Sequence, residues 1–396
     1  MVLDFMTSTT KSRVAVSAFF FLPGLCFASW ASRIPDISAK LGMSSGQLGQ
    51  LLLAIPLGSM LSLPLAGWLT ANWGSRRTVL LASVLYACFL PLLGWAGSFW
   101  TLAPALALFG FAGNMLNIAV NTQAIGLQEL YPKPIMGSFH GLWSLAGFLG
   151  GALGTLLIGL HRSPLQHFLL ILVVCLAIAG WAQAYTLRKD VGKVDEGGPG
   201  FSLRHPDPYL LRIGFIAFCG MMSEGAMFDW AGVYFQKVVR PDAALVTAGY
   251  VACMSTMALG RFLSDYFTHR FGTVRMLQLS SALIVSGLLL AVGFPSLVPA
   301  VAGFLLIGFG IASVVPLSYS SAGRATSVSP GVALALVSTI GFLGFLLGPP
   351  LIGFLAQLFS LRTAFGLVAI VATGIGVLAS LPNPVPVAAP QAEPVA

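Results

Sequence analysis

The chain has 396 residues, 57% of them hydrophobic and only 8% charged, with a net charge of +8. A soluble domain of this size carries roughly a quarter charged residues, so most of this surface must face lipid and a soluble protein is excluded. The basic excess is not gathered on one helix or interleaved with stacking aromatics, which excludes a nucleic-acid interface.

A helix of ~20 mostly apolar residues crosses a bilayer. Dividing the chain at charges, Pro/Gly clusters and polar turns predicts twelve such spans: 14–33, 47–71, 78–97, 101–126, 136–160, 167–187, 212–236, 244–268, 275–294, 297–323, 332–358 and 361–381. Lys11 and Arg13 precede the first run in the manner of a signal peptide, but the run is too long and leads into further spans, so it reads as the first membrane helix. The split between spans nine and ten rests on the two prolines of "FPSLVP". The expected organisation is an N-terminal six-helix half over 1–187 and a linker over 188–211 carrying a short surface helix. A C-terminal six-helix half over 212–381 and a disordered Pro/Ala-rich tail over 382–396 follow. Cys26, Cys88, Cys175, Cys219 and Cys253 all fall within apolar runs and read as small packing residues.

Placing both termini in the cytoplasm puts fourteen Lys and Arg inside and six outside, which sets the orientation. The two halves repeat. "GWLTANWGSRR" at 67–77 aligns with "DYFTHRFGTVR" at 265–275, an offset of 198, and Trp30 corresponds to Trp230. A parallel repeat about an axis along the membrane normal is the layout of one large transporter class.

Twelve spans in a six-plus-six repeat, a long linker and a basic turn after spans two and eight resemble the major facilitator superfamily. That family's turn signature is Gly-x-x-x-Asp-Arg-x-Gly-x-Arg-Arg. Here Gly67, Gly74, Arg76 and Arg77 keep it, with Ala71 and Asn72 in the Asp and first Arg places; the second copy has His269, Arg270, Gly272 and Arg275. "FFLPGLCFASWASRIPDI", "HGLWSLAG", "SEGAMFDW" and "GPPLIGFL" are similar to the YbjJ-like bacterial inner-membrane branch, and more distantly to fucose-permease-type sugar/proton symporters. The resemblance implies an all-α membrane protein of two pseudo-symmetric six-helix bundles, in the bacterial inner membrane, with Arg76 and Arg77 in a gating turn.

Span seven carries two carboxylates. Counted from Arg212, Glu224 lies ~18 Å deep, near the midplane, and Asp229 ~25 Å deep. A charged carboxylate at mid-membrane costs on the order of 3 kcal/mol and marks function by default. Five residues at 100° leave the two acids about 140° apart, so Glu224 is expected to face a cavity and Asp229 a neighbouring helix across Gly225 and Gly232. Glu224 is the candidate proton site and a candidate substrate contact, or a static helix-ordering residue. Asp229 is expected to pair with Arg33 as a brace or outer gate.

Asn114, Asn117 and Asn121 share one face of span four and serve either a polar substrate or helix packing; Gln123 is off that face. His140 in span five is a candidate proton relay or a satisfied core histidine. Trp143 stacks on a ligand or anchors at the interface, and Trp30 reads as an anchor. Arg261 and Asp265 form an (i, i+4) pair, the alternative being that Arg261 reaches Glu224. The glycines of spans five and eleven, with Pro349 and Pro350, are expected at the contact between halves. "GMSSG" at 42–46 fits a nucleophile-elbow pattern but lacks the strand that motif needs.

The sequence therefore predicts a secondary active transporter of a small polar organic solute, sugar-like in one version, working by alternating access and proton-coupled through Glu224. A proton-driven multidrug or metabolite exporter is the neighbouring alternative, and a membrane-embedded enzyme or non-transporting receptor the different-class one. Partners are the lipid bilayer, the solute and protons. No nucleic acid, cofactor or metal is expected, and the chain is expected to be a monomer and not an enzyme.

Overall fold

Inside lipid every backbone N–H and C=O must be satisfied within the protein, and a helix does this within one segment. The computed structural model, which describes residues 2–131, 135–188, 207–322 and 330–382, is correspondingly all-helical, with no strand among the described residues. The linker helix and the tail expected from the sequence fall at 189–206 and 383–396, outside the described residues.

The first half comprises α1 (Val2–Lys40), α2 (Ser45–Leu52), α3 (Ala54–Trp73), α4 (Ser75–Trp95), α5 (Phe99–Gln128), α6 (Met136–Gly159) and α7 (Pro164–Gln183). The second comprises α8 (Pro208–Tyr234), α9 (Ala248–Phe271), α10 (Thr273–Gly293), α11 (Leu297–Ala322), α12 (Pro330–Leu358) and α13 (Leu361–Ser380). The helices α2 and α3 form one span, Ser45–Trp73, which gives, among the described residues, twelve helices long and apolar enough to cross a membrane. The span breaks at Leu53 because Pro56 has no N–H to donate to the Leu52 carbonyl.

The two faces of the bundle end their helices by different chemistry. On one face helices begin with a serine cap: Ser44, Ser98, Ser163 and Ser360 accept the N–H of Gln47, Thr101, Gln166 and Thr363. Ser44 belongs to "GMSSG", so that motif is a helix start. On the opposite face the turns into α4 and α10 are made by Gly74 (φ 84°, ψ 150°) and Gly272 (φ 78°, ψ 160°). This backbone region is essentially closed to residues with a Cβ. One conformation recurring at an offset of 198 shows that the weak sequence repeat is a structural one.

Several boundaries differ from expectation by four residues or more, among them the start of α1 at Val2, the end of α7 at Gln183 and the start of α9 at Ala248, and two further shifts have a clear cause. The first helix runs through Arg33 and Pro35 to Lys40, because Arg33 is neutralised within the fold by Asp36 at 2.7 Å. The seventh span starts at Pro208, four residues before 212, where Asp207 accepts the N–H of Tyr209 and proline takes the first helical position. The expected turn at "FPSLVP" does separate α10 from α11.

Each half packs mainly on itself, through α1–α6, α3–α5, α4–α5 and α4–α7 in the first and α8–α12, α9–α11, α10–α11 and α10–α13 in the second. The halves meet through α2–α12, α6–α9 and α1–α8. The first two of these are the same contact related by the repeat. Spans five and eleven thus touch the opposite half as expected, but through spans eight and two rather than each other. At the serine-capped face the closure is backbone-tight, since a Cβ on Gly353 would lie 2.6 Å from the Ser45 carbonyl and 2.7 Å from the Gly49 Cα. Neutral contacts and one lysine link the halves there: Ser44 Oγ to Gln357 Oε1 at 3.4 Å, Lys237 Nζ to Ser45 Oγ at 3.5 Å, and Thr155 Oγ1 to Thr247 Oγ1.

Candidate functional site

Below that closure a cavity of about 390 Å³ lies between the halves. It takes residues from α1, α2, α3, α4, α5 and α6 on one side and from α8, α9 and α12 on the other. The walls are largely aromatic and aliphatic. The polar groups on them are Ser59, Asn114, Asn117, His140, Glu224, Asp229 and Arg261. Asn117 and His140, towards the glycine-turn face, are exposed, whereas Glu224 and Asp229 are 5% and 8% exposed. Solvent therefore enters from the glycine-turn face, and the serine-capped face is closed.

Glu224 sits at the middle of the 32-residue span Pro208–Val239. Its Oε1 accepts a hydrogen bond from Arg261 Nη2 at 2.7 Å, and Arg261 Nη1 donates to Ser144 Oγ at 2.6 Å. Glu224 and Arg261 belong to the second half and Ser144 to the first. One guanidinium thus joins a mid-membrane carboxylate to the opposite bundle. The same group lies 5.7 Å from the centre of the Trp143 ring, also in the first half. Of the two pairings open to Arg261 in the sequence, the geometry has the longer-range one; the side chain of Asp265 lies outside the described residues. Ser144 was not anticipated, although it follows His140 by four residues and so shares its helix face.

Asp229 departs from expectation twice. It lines the same cavity as Glu224, although the helical wheel separates them. The reason is that α8 packs against α1, α9, α11, α12 and α13, so nearly all of its faces are interior and the cavity wraps around it. The small residues on the Asp229 stripe do admit close neighbours, Phe345 at Gly225 and Pro35 at Gly232. Asp229 also does not pair with Arg33. Arg33 is held inside the first half, its Nη1 on Asp36 at 2.7 Å and its Nε donating to His167 Nδ1 at 3.2 Å. An arginine this buried needs partners fixed within its own bundle, and α7 supplies one that the sequence did not flag.

The asparagine stripe divides. Asn114 spends its amide N–H groups on the Ser59 carbonyl and Ser62 Oγ of α3, at 3.0 and 2.8 Å, leaving its oxygen towards the cavity. Asn121 donates back to Asn117 at 2.8 and 3.0 Å and is not on the cavity wall, so it braces Asn117. Gln123 fastens α5 to Ser75 Oγ at 2.6 Å and to the backbone of Leu187, four residues beyond α7. Arg76 similarly ties the Gly74 turn to the Gln183 and Thr186 carbonyls at 2.9 and 3.5 Å, a brace within one half, while Arg77 is exposed.

His140 meets the Phe20 ring edge-on at 5.3 Å, and Trp143 lies 5.8 Å from Phe228. Trp30 is wholly buried, a packing residue rather than an interfacial anchor. Four of the five cysteines are buried as expected and Cys88 is exposed.

A cavity of this volume, apolar with a few convergent polar groups, is sized for a small organic ligand. A model of the Major Facilitator Superfamily matches residues 15–328 and 256–395. The chain is 35% identical, over 91% of its length and 93% of the relative's, to an uncharacterized MFS-type transporter of Yersinia pestis. It is 32% identical to the membrane protein MosC of Rhizobium meliloti, over 91% of this chain and 87% of that one. Among solved structures, a bacterial homolog of the human lysosomal transporter Spinster, inward-facing and unoccupied, superposes with a TM-score of 0.72 at 13% identity. That match covers 94% of this chain and 96% of that one.

Proposed function

The chain belongs to the Major Facilitator Superfamily, and from that premise we propose that it is a proton-coupled secondary transporter of a small polar organic solute. The observation that carries the reading is the Glu224–Arg261–Ser144 chain at mid-membrane. When Glu224 is ionised, its charge holds Arg261 at the seam between the halves. When Glu224 takes a proton, the attraction that fixes Arg261 is lost, and the link to Ser144 and Trp143 loosens with it. A proton is thereby converted into freedom of one half to rock on the other. In this reading Asn117, Trp143 and the Asn114 oxygen contact the solute, His140 guards the open mouth, and Arg76 keeps the first half rigid.

The fourteen-to-six distribution of Lys and Arg supports placing the glycine-turn face, with both termini, in the cytoplasm of a bacterial inner membrane. The conformation described here is then inward-facing. Export of a metabolite or drug is the second reading, favoured by the Met221, Phe228 and Phe345 wall. An enzyme would place two reacting groups on one ligand. Glu224 is instead committed to Arg261, which supports transport.

The test begins with a thermal-shift screen of sugars, amines, organic acids and drugs on the purified protein. A binder is then supplied to proteoliposomes under an imposed pH gradient. The expected result is movement of the solute beyond equilibrium, abolished by a protonophore. Equilibration without accumulation in either direction, or recovery of a chemically altered solute, would contradict the proposal.

A further inference from the structure

The two carboxylates on the cavity wall are not equivalent. Glu224 has its counter-charge at 2.7 Å. Asp229, only 8% exposed, forms no ion pair and accepts no hydrogen bond among the described residues, and its Oδ1 is fully buried. Neither cation that could have served it reaches it: Arg33 is held by Asp36 and His167, with its Nη2 buried and unpartnered among the described residues, and Arg261 by Glu224 and Ser144. His140 stands at the opposite, open end of the cavity. Burying an ionised carboxylate with no partner is costly, so this carboxyl either holds a proton or is ionised against a cation that enters the cavity.

The surroundings say what kind of group that is. Phe27, Trp143 and Phe345 lie 5.4, 5.8 and 6.2 Å from the ring of Phe228, which lines the same cavity as Asp229, and Phe345 also packs against Gly225, one turn from Asp229 on its stripe. Ring faces attract cations and give nothing to an anion. The Tyr250 hydroxyl, whose ring is 6.5 Å from Phe228, is likewise buried without a partner among the described residues. An anionic solute would find no counter-charge at this carboxyl, and a neutral polyol would bring none to it, whereas a cation is the one class of solute that ionised Asp229 can pair with.

We propose that Asp229 is the anchor for a protonated amine, so that the solute of this cavity is a small amine-bearing organic molecule. This rests on the reading of the cavity as the solute site. The ammonium group sits against Asp229 within the aromatic cluster, and the remainder of the solute extends towards Asn117 and the Asn114 oxygen. Glu224 and Arg261, paired with each other, are left to the conformational cycle.

The test is a binding measurement on the full-length protein in detergent, by calorimetry or tryptophan fluorescence, which needs neither a gradient nor transport. The probes are matched pairs: glucosamine against glucose, and tyramine against its alcohol, 4-(2-hydroxyethyl)phenol. The amine is expected to bind at least about tenfold more tightly than its partner in one pair or both, the scale of one charge-assisted contact. Asp229→Asn is expected to erase that preference, and Asp229→Glu to retain part of it. Both variants conserve volume, and Asn removes an unpaired buried charge, so the fold should survive. Equal binding within both pairs, a preference that persists in D229N, or no binding of either amine at millimolar concentration would overturn the proposal. Amine binding lost in D229N alongside an absence of any transport would instead contradict the transporter reading and leave the amine site standing.

Discussion

Replacing Arg261 with methionine is expected to destabilise the protein by about 3–5 kcal/mol and to abolish transport. The size of the effect follows from what is left behind. The two side chains are 14% and 7% exposed and 2.7 Å apart, so removing the cation strands Glu224 unpaired at the middle of its span. Methionine keeps most of the arginine stem's volume, so cavity formation adds little. Adding Glu224→Gln to the same chain removes the stranded charge and should restore most of the lost stability, while leaving transport dead. Thermal unfolding of the single and double variants measures this directly. If R261M unfolds at the parent temperature, or the double variant is as weak as the single, the pair is not the coupled unit described here.

The second large effect is expected at the serine-capped face. Gly353→Val would drive a side chain into the Ser45 carbonyl and the Gly49 Cα, both backbone atoms that cannot step aside. The α2–α12 contact would have to part, and closure at this face would be blocked. Transport should fall by at least about an order of magnitude, the factor that ~1.4 kcal/mol against the closed state produces. A cysteine placed at Leu52, 1% exposed on the cavity wall in the helix α2 that packs on α12, with Cys88 replaced, should become more reactive to a bulky membrane-impermeant reagent in G353V. Unchanged reactivity and transport would show that the tight approach is not the gate.

Much of the fold was legible because lipid simplifies the problem. Apolar runs had to be helices, and even the thin signal at "FPSLVP" marked a true turn. The repeat could be read from Gly74 and Gly272 because a positive φ leaves no other residue type comfortable there. The site was less legible for a geometric reason. A helical wheel says which side chains share a stripe on one helix, but not how many neighbours surround that helix. The helix α8 is enclosed on nearly every side, so Glu224 and Asp229 reach one cavity from different stripes. Pairings across helices were harder still. Depth and the equivalence of spans one and seven in the repeat match Arg33 to Asp229, while Asp36, three residues on, and His167 of α7 are its partners in space. Arg261 was open to a local partner or a distant one, and Ser144, its contact on the other half, carried no signal beyond its spacing from His140.

In the proposed cycle a proton on Glu224 governs the rocking of the two halves. The most direct measurement separates accumulation from exchange in proteoliposomes, using a solute identified by the binding screen. Glu224→Gln mimics the protonated state permanently. E224Q is expected no longer to accumulate solute under a pH gradient yet still to exchange labelled for unlabelled solute across the membrane. A variant that accumulates solute as the parent does would contradict it.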